Sequence, residues 1–539
     1  MKVPRAASLL LALALAAGVS AQEPGGDLGH IDFATSGQPA AQAHFLRGAL
    51  LLHSFEYDDA AEEFRQAQKV EPGFAMAYWG EAMTCNHPLW MERDRDAARK
   101  VIERLGPTPQ ARQAKAPTRR EKMYLEAVEA LYAEGDKAER DRAYAEVMGR
   151  LHEEFPEDLD AASLYALALL GTCEGRRDFA TYMRAAAIVE EVFARNPRHP
   201  GAAHYLIHCY DDPIHAPLGM RAARVYAKIA PAATHALHMP SHIFLASGMW
   251  DAVAASNEAS WKASVDRARR LSLSADAHSF HALSWLEYAY LQQGRYADAR
   301  KTLALMEEDA AATGSKSARA SLAAMRAAYL VESGQWKGDV AGRHVDADDL
   351  WVRDRNAFVD GIAALETGDR AGAEKALAKM AARKEDAAGG HAHPGAVSYR
   401  GARPDVDAVL RQELEARILF SQGKTEQALA VAKKAAEAED TMSFDFGPPD
   451  IVKPTHELLG EMLLASNRAS EARKQFEASL ARAPRRALSL LGLARAASKE
   501  GDAAAAGKAY DELREVWARA DADVPGLEEA RRAAPVAAR

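Results

Sequence analysis

The chain has 539 residues, of which 48% are hydrophobic and 27% charged, a balance that provides ample material for a large core. Its formal net charge of −9 removes the electrostatic basis for non-specific nucleic-acid binding. Its 3 cysteines are too few for a disulfide-rich scaffold or for a zinc module built on cysteine alone. Aromatic residues make up only 7%, and β-branched runs are scarce beside abundant alanine, so the composition favours helices.

Residues 1–21 have the pattern of a secretory signal peptide. Lys2 and Arg5 form a basic start, an apolar stretch covers 6–17, and Val19-Ser20-Ala21 is a small-residue cleavage site. The apolar stretch is too short to span a bilayer, and no later stretch is long and apolar enough to do so. We therefore predict an exported protein, periplasmic or secreted, without a membrane span.

From Ala41 onward the chain shows the spacing of a helical-hairpin repeat. In a frame that starts at Ala41, small residues occupy positions 8, 20 and 27, namely Gly48, Ala60 and Ala67. The bulky Phe64 occupies position 24, and Pro72 occupies position 32. Small residues let two antiparallel helices approach, the bulky residue fills the seam, and proline ends the second helix. The segment resembles the tetratricopeptide repeat, a helix–turn–helix unit of about 34 residues.

The same pattern of turn residues and helix-ending prolines recurs along most of the chain. Turns between paired helices are predicted at Gly248, Gly294, Gly334, Gly368, Gly423, Asn467 and Gly501. The ends of second helices are predicted at Pro156, Pro197, Pro231 and Pro484. The resemblance implies an all-α fold: a right-handed superhelical solenoid of antiparallel helix pairs, with about ten tetratricopeptide-like repeats.

The predicted organisation follows from these signals. It comprises a signal peptide 1–21, an N-terminal linker 22–40, a solenoid 41–380 with histidine-rich central repeats, a flexible loop 381–405, C-terminal repeats 406–520 and a tail 521–539. The loop is rich in glycine and alanine. The proline-bound segment 441–455 cannot be helical throughout and is placed to cap a groove.

Histidines are concentrated in the central repeats. Of the 18 histidines, 8 fall between His204 and His281, far more than a uniform spread would give. In the repeat frame, His204 and His208 take positions 5 and 9, and Asp211 takes position 12. In the next repeat His235, His238 and His242 take positions 2, 5 and 9, and His281 takes position 2 of the one after. These positions line one stripe of a helix.

The tetratricopeptide resemblance implies that this stripe faces a concave groove shared by adjacent first helices. Imidazole is the commonest transition-metal ligand, and histidines four residues apart point from one helix face. The predicted metal ligands are His204, His208, Asp211, His235, His238 and His242. Residues predicted to support them or to contact a ligand are Asp212, His215, His278, His281, Trp79 and His87.

Several functions remain open at the level of sequence. The histidine cluster could hold zinc, copper, iron or manganese, with or without catalysis, or could bind an anionic group. No nucleotide cofactor is expected. The alternatives are a non-catalytic scaffold that binds a protein, peptide or small molecule in the concave groove, and a metal carrier.

Overall fold

A computed structural model describes residues 26–174, 176–345, 350–381, 404–444 and 446–533. Within these ranges the protein is built of α-helices, and the only strands are a two-residue antiparallel pair, β1 (Asn86–His87) and β2 (Glu92–Arg93), in which Asn86 pairs with Arg93. The all-α, tetratricopeptide-like fold class is therefore confirmed. The predicted signal peptide and most of the predicted loop 381–405 lie outside the described residues.

The helices follow one another in antiparallel pairs. The first part of the chain contains α1 (Pro39–His53), α2 (Tyr57–Val70), α3 (Ala75–Met83), α4 (Arg95–Leu105), α5 (Pro109–Gln113), α6 (Arg119–Leu131), α7 (Lys137–Glu154), α8 (Leu159–Gly171) and α9 (Phe179–Arg195). The histidine-rich part contains α10 (Pro200–Cys209), α11 (Ala216–Ile229), α12 (Thr234–His238), α13 (Pro240–Ala246), α14 (Trp250–Leu271) and α15 (Phe280–Gln292), with a 3₁₀ turn at Ala275–Ala277.

The remaining helices continue the same alternation. They are α16 (Tyr296–Thr313), α17 (Lys316–Ser333), α18 (Asp339–Gly342), α19 (Leu350–Glu366), α20 (Arg370–Ala381), α21 (Pro404–Ser421), α22 (Thr425–Asp440), α23 (Thr455–Ala465), α24 (Ala469–Arg482), α25 (Ala487–Glu500), α26 (Ala503–Val516) and α27 (Leu527–Arg532). Within the described ranges, no helix combines the length and apolar character needed to cross a bilayer.

Close helix approach depends on glycine facing phenylalanine, as the repeat spacing predicts. The ring of Phe64 on α2 lies between Gly48 on α1 and Gly80 on α3, so close that a Cβ atom on Gly80 would be 2.3 Å from it. Phe476 on α24 repeats the arrangement with Gly460 and Gly492, and a Cβ atom on Gly492 would also be 2.3 Å from the ring. No side chain larger than hydrogen fits at these crossings.

The predicted turns and helix ends agree with the structure. Every predicted turn residue, six glycines and one asparagine, has a positive φ between 61° and 86°. The helices α7, α9, α11 and α24 each end two residues before their predicted terminating proline. The handedness of the superhelix and the number of repeats remain predictions.

Two terminal segments are packed rather than free. The described part of the predicted linker buries Leu28, Ile31 and Phe33 in the N-terminal core. The predicted tail forms α27 and buries Leu527 and Ala530. Apolar side chains at these positions remove surface from water, so both segments belong to the folded structure.

The C-terminal repeats return to pack against the histidine-rich repeats. Trp250 Nε1 donates to the carbonyl oxygen of Arg485 over 3.0 Å. The buried Arg486 guanidinium donates to Tyr288 Oη over 2.8 Å and to Glu457 Oε2 over 2.8 Å. From the other end of the chain, Arg267 Nε donates to Asp59 Oδ2 over 2.9 Å. The central repeats are therefore covered from both sides.

Candidate metal centre

The histidines are presented by consecutive first helices of the central repeats. His204 and His208 lie one turn apart on α10, and His235, His238 and His242 follow on α12 and α13. Pro240 separates α12 from α13 because it has no N–H to continue the hydrogen-bond ladder. Met239 nevertheless keeps helical dihedrals, with φ −53° and ψ −36°, so His238 and His242 stay one turn apart on one face.

A first set of imidazoles is formed by His204, His208 and His235. The Nε2 atom of His204 lies 3.1 Å from Nε2 of His208 and 3.2 Å from Nε2 of His235. One ligand atom from each of the three rings lies within 4.8 Å of the others. The set therefore joins two repeats around a single point.

A second set is formed by His238, His242 and His281. The Nε2 atoms of His238 and His242 are 3.0 Å apart, and the ring of His281 on α15 lies 4.5 Å from that of His238 between centroids. Ligand atoms of the three residues lie within 4.8 Å of one another. Trp285 packs edge-on or tilted against all three rings, the nearest being His242 at 4.4 Å.

Hydrogen bonds to Nδ1 fix the proton positions on three of these rings. Nδ1 of His204 donates to the carbonyl oxygen of His53 over 2.7 Å. Nδ1 of His238 donates to Asn257 Oδ1 over 2.6 Å, and the amide is oriented because its Nδ2 donates to the Val253 carbonyl over 2.8 Å. Nδ1 of His242 donates to the Asp211 carboxylate over 2.5 Å.

The neutral form of each of these rings carries its one proton on Nδ1, so its Nε2 presents a lone pair. Burial lowers the pKa of His204, His208, His235 and His238 well below the usual value for histidine, which keeps these rings neutral. With the proton on Nδ1 in both rings, the Nε2 atoms of His238 and His242 present their lone pairs to each other across 3.0 Å. Two imidazole ligands of one tetrahedral ion stand about 3.3 Å apart, close to the observed spacings.

The predicted residues divide into those that converge and those that do not. All five predicted histidine ligands, together with His281, belong to the two sets. Asp211 orients His242 through its carboxylate, and its own ligand atom also lies within 4.8 Å of those of His208 and His242. The acceptors Asn257 and the His53 carbonyl were not predicted, because neither repeat position nor residue type marks them.

Other predicted residues serve the surrounding structure. Asp212 accepts hydrogen bonds from Arg177 over 3.2 Å and from His215 Nδ1 over 2.9 Å, which fixes the turn before α11. His278 bonds to Asp309 over 2.8 Å, outside both sets. Neither histidine takes part in the clusters, because each lies beyond the end of a helix rather than on its inner stripe.

Two of the predicted ligand-contacting residues, Trp79 and His87, lie outside both sets. Trp79 packs in the N-terminal core, with its ring 5.7 Å from that of Phe33 and 5.1 Å from that of Tyr124, so it does not contact the histidines. His87 stacks on Tyr57 at 3.9 Å between centroids, and its Nε2 donates to the Thr84 carbonyl over 3.1 Å. Neither residue belongs to the two histidine sets, and contact of either with a ligand stays a prediction.

The predicted open groove is filled at the histidines. The rings of His204, His208, His238 and His242 belong to residues only 0–6% exposed. The ring of Phe55 lies 4.3 Å from that of His204, and Gly447 in the segment between α22 and α23 lies directly on Trp285. The segment 441–455 thus covers the site, as its prolines suggest, and the centre is buried because both ends of the chain pack over it.

Phe55 occupies a backbone position that normally belongs to glycine. It takes position 15 of the first repeat, where later repeats have the turn glycine, and its φ is 56°. A bulky side chain in the left-handed region costs about 1–2 kcal/mol. The ring contacts His204, His208 and His235, with centroids 4.3–6.0 Å away, so the strained residue forms one wall of the first set.

Two cavities adjoin the centre. One of about 460 Å³ is largely apolar and lies beyond Phe55, next to Tyr205, Met83 and Asn86. Another of about 720 Å³ is lined by Asp211, by prolines of the covering segment and by His456 and Arg482. The second cavity reaches the carboxylate that orients His242, so a small molecule could approach the centre from this side.

A neighbouring buried group consists of His53, Asp160 and His199. His53 Nε2 lies 3.0 Å from Asp160 Oδ1, and His199 Nδ1 accepts the backbone N–H of Ala202 over 3.2 Å. The neutral His199 ring therefore carries its proton on Nε2, which points at Asp160 from 3.4 Å and is not available to a metal. Burial alone would raise the pKa of Asp160, but the bonds from His199 and His53 outweigh it and lower the pKa.

The repeated glycine–phenylalanine crossings and positive-φ turns decide the fold type. The chain is a tetratricopeptide-like helical-repeat protein. No protein-family model and no curated protein matches it. Solved structures with a related helical arrangement include the Cut9–Hcn1 hetero-tetramer of the APC/C, at 10% identity over 92% of this chain and 78% of that chain, with a TM-score of 0.34.

Two further solved structures also match the chain at low similarity. A human IFIT1 dimer with PPP-AAAA has 13% identity over 86% of this chain and 94% of that chain, with a TM-score of 0.36. Yeast Tom70 has 14% identity over 91% of this chain and 94% of that chain, with a TM-score of 0.28. At these similarities the comparison concerns the helical architecture alone.

The buried network predicts the effect of removing Asp160. Asp160→Ala leaves two buried imidazoles without their shared acceptor, so we expect the free energy of unfolding to fall by about 3 kcal/mol, measured by urea denaturation. The matched control is Asp309→Ala, which removes the carboxylate partner of the half-buried His278 and should have a much smaller effect. Equal losses in both variants would contradict a structural role specific to Asp160.

Proposed function

We propose that the histidine sets bind a transition-metal ion inside a helical-repeat scaffold. The observation that carries the proposal is the 3.0 Å contact between Nε2 of His238 and Nε2 of His242. Asn257 and Asp211 hold the protons of these rings on Nδ1, so two lone pairs face each other. A cation between them converts mutual repulsion into two ligand bonds.

The supporting hydrogen bonds have the form found around metal-binding histidines. Such ligands donate their other ring N–H to a carboxylate, a carbonyl or a similar acceptor, which fixes the ring and raises its basicity. Asp211, Asn257 and the His53 carbonyl are three such acceptors.

The donor atoms narrow the choice of metal. Imidazole suits zinc, copper, iron and nickel, whereas magnesium, calcium and manganese prefer carboxylate and carbonyl oxygens. Each set is made of imidazoles, and the nearby carboxylate of Asp211 is engaged with His242. Zinc or copper therefore fits best, iron is compatible, and manganese fits least.

A centre with three imidazole ligands has room for chemistry. A tetrahedral ion with three protein ligands keeps one position for water or substrate, and there supplies Lewis-acid or redox chemistry. This chain's residues would hold the ligands in place through Nδ1, exclude bulk water with Phe55 and Trp285, and leave access along the cavity at Asp211. A metal carrier would use the same histidine ligands but would not need access for a substrate along this cavity.

Peptide recognition by the histidine face is less well supported than metal binding. The rings are buried under Phe55 and the segment 441–455, so no extended chain can lie against them. A scaffold function would use another surface, such as the cavity of about 860 Å³ lined by Trp336, Phe358, Lys453 and Arg417. In that case the purified protein should fold normally without bound metal.

Elemental analysis of protein purified without a histidine tag tests the proposal. We expect stoichiometric zinc or copper in the unmodified chain and a substantial loss of metal in His208→Ala and His238→Ala. His44→Ala is the control, because His44 bonds to Glu63 in the first repeat, far from both sets in the chain. Metal-free protein with unchanged circular dichroism would refute metal binding and favour the scaffold.

The orienting amide gives a second prediction. Asn257→Ala removes the acceptor of His238 Nδ1, so we expect metal affinity to fall by about 10- to 100-fold in a chelator competition. Asn356→Ala is the matched control, since Asn356 is a buried amide on α19 that bonds to the Val345 carbonyl over 2.9 Å. Equal affinity in the Asn257→Ala variant would show that the amide does not orient a ligand.

We also propose that the protein functions after export. The support is the basic start, apolar stretch and small-residue cleavage site of residues 1–21. Expression of the full chain in a bacterium with a periplasm should give a processed protein whose mass corresponds to an N-terminus at Gln22. Retention of residues 1–21 in the soluble protein would contradict export by this route.

A further inference from the structure

We propose that the centre holds two metal ions side by side, one in each imidazole set. This inference rests on the proposed metal binding and extends it. The first set is His204, His208 and His235, and the second is His238, His242 and His281. The two sets share no residue, so each can be complete while the other is occupied.

The helical repeat itself generates both sets. Each consists of a histidine pair at positions 5 and 9 of one repeat and a histidine at position 2 of the next. His204 and His208 combine with His235 in this way, and one repeat later the pattern recurs in the second set. Because successive first helices stack in the same relation, equal positions produce equal geometry. The two sites are therefore repeats of one construction.

The closest contacts within each set involve the same repeat positions. The pair at positions 5 and 9 brings Nε2 atoms together at 3.1 Å for His204 and His208, and at 3.0 Å for His238 and His242. The position-5 ring is oriented through Nδ1 in both sets, by the His53 carbonyl and by Asn257. A single irregular site would not show this correspondence in both spacing and support.

The series begins and ends with these two sets. Position 2 of the repeat that carries His204 is Gly201, so no histidine completes a set with the repeat before it. Positions 5 and 9 of the repeat that carries His281 are Ser284 and Tyr288. Tyr288 accepts a hydrogen bond from Arg486 instead. The periodic pattern thus defines two sets and no third.

The two sets adjoin each other. The ring centroids of His208 and His242 are 5.6 Å apart, and those of His235 and His238 are 5.9 Å apart. Ligand atoms of His208, Asp211 and His242 lie within 4.8 Å of one another, so Asp211 stands where the sets meet. Imidazole ligands bring no negative charge, so the buried Asp211 carboxylate would offset only part of the positive charge of two cations.

Such a pair suits a small ligand that can contact both ions. Neighbouring ions can bind and activate a shared water, hydroxide or small anionic substrate more strongly than either ion alone. The cavity lined by Asp211 limits access to small molecules, since prolines of the segment 441–455 form its wall. We therefore place the ligand class at small anions or neutral molecules that coordinate through oxygen or nitrogen.

Metal stoichiometry separates this inference from the proposed function. With saturating zinc or copper followed by desalting, we expect two ions per chain, and one ion in His235→Ala and in His281→Ala. His278→Ala should keep two, because His278 lies outside both sets. No bound metal would refute the proposed function, whereas one ion in the unmodified chain would refute only the paired centre.

A spectroscopic measurement on the unmodified chain does not depend on the variants folding. Two copper(II) ions bound in adjoining sets are expected to interact magnetically. The interaction should appear as a dipolar-broadened or half-field paramagnetic resonance signal, or as a signal intensity lower than the copper content predicts. Partial loading with one equivalent should give isolated-ion spectra if the first set fills before the second. Two bound ions with full-intensity, uncoupled spectra would overturn adjacent binding.

Discussion

The hydrogen bonds to the Nδ1 atoms of three histidines are the constraint on which the centre depends. By holding protons on the far side of each ring, Asp211, Asn257 and the His53 carbonyl direct Nε2 lone pairs inward. In the neutral form of these three rings no proton lies on Nε2, so the Nε2 atoms of His238 and His242 would face each other across 3.0 Å with a lone pair on each. Two nitrogen acceptors buried face to face without a donor are costly, which is the reason for proposing a cation between them.

Burial of the centre is a consequence of the chain folding back on itself. Repeat proteins often leave their concave face open, but here the first repeat contributes Phe55 and the segment before α23 contributes Gly447. The contacts of Trp250 and Arg486 secure the returning repeats against α13–α15. The same closure that keeps a peptide from the histidines would give the proposed metal centre a low-water environment.

Phe55, which forms one wall of the first set, combines a strained backbone with close packing of its ring. Phe55 adopts a left-handed backbone conformation at a turn where other repeats have glycine. The ring gains contacts with His204 and its neighbours that glycine could not make. A local departure from the repeat rule at a functional position is expected when the side chain serves the site more than the turn.

Much of the fold was determined by local sequence. Turn glycines, terminating prolines and the facing of Gly48 by Phe64 are local rules, because helix ends and close helix crossings depend on individual residues. Repeat position also placed the histidine ligands on one stripe. Residues at helix ends, such as His215 and His278, bond to Asp212 and Asp309, contacts that the repeat frame does not describe because it says nothing of loops.

The sequence by itself thus determined the helical repeat and the common stripe of the histidines, since both follow from spacing along single helices, while the inward direction of the stripe was implied by the resemblance to tetratricopeptide repeats. Only the tertiary structure decided that the groove is closed, that Trp79 belongs to a separate core, and that Asn257 and the His53 carbonyl orient the rings. These features join residues far apart in the chain. Their contacts depend on how the repeats curve and return, which no local pattern encodes.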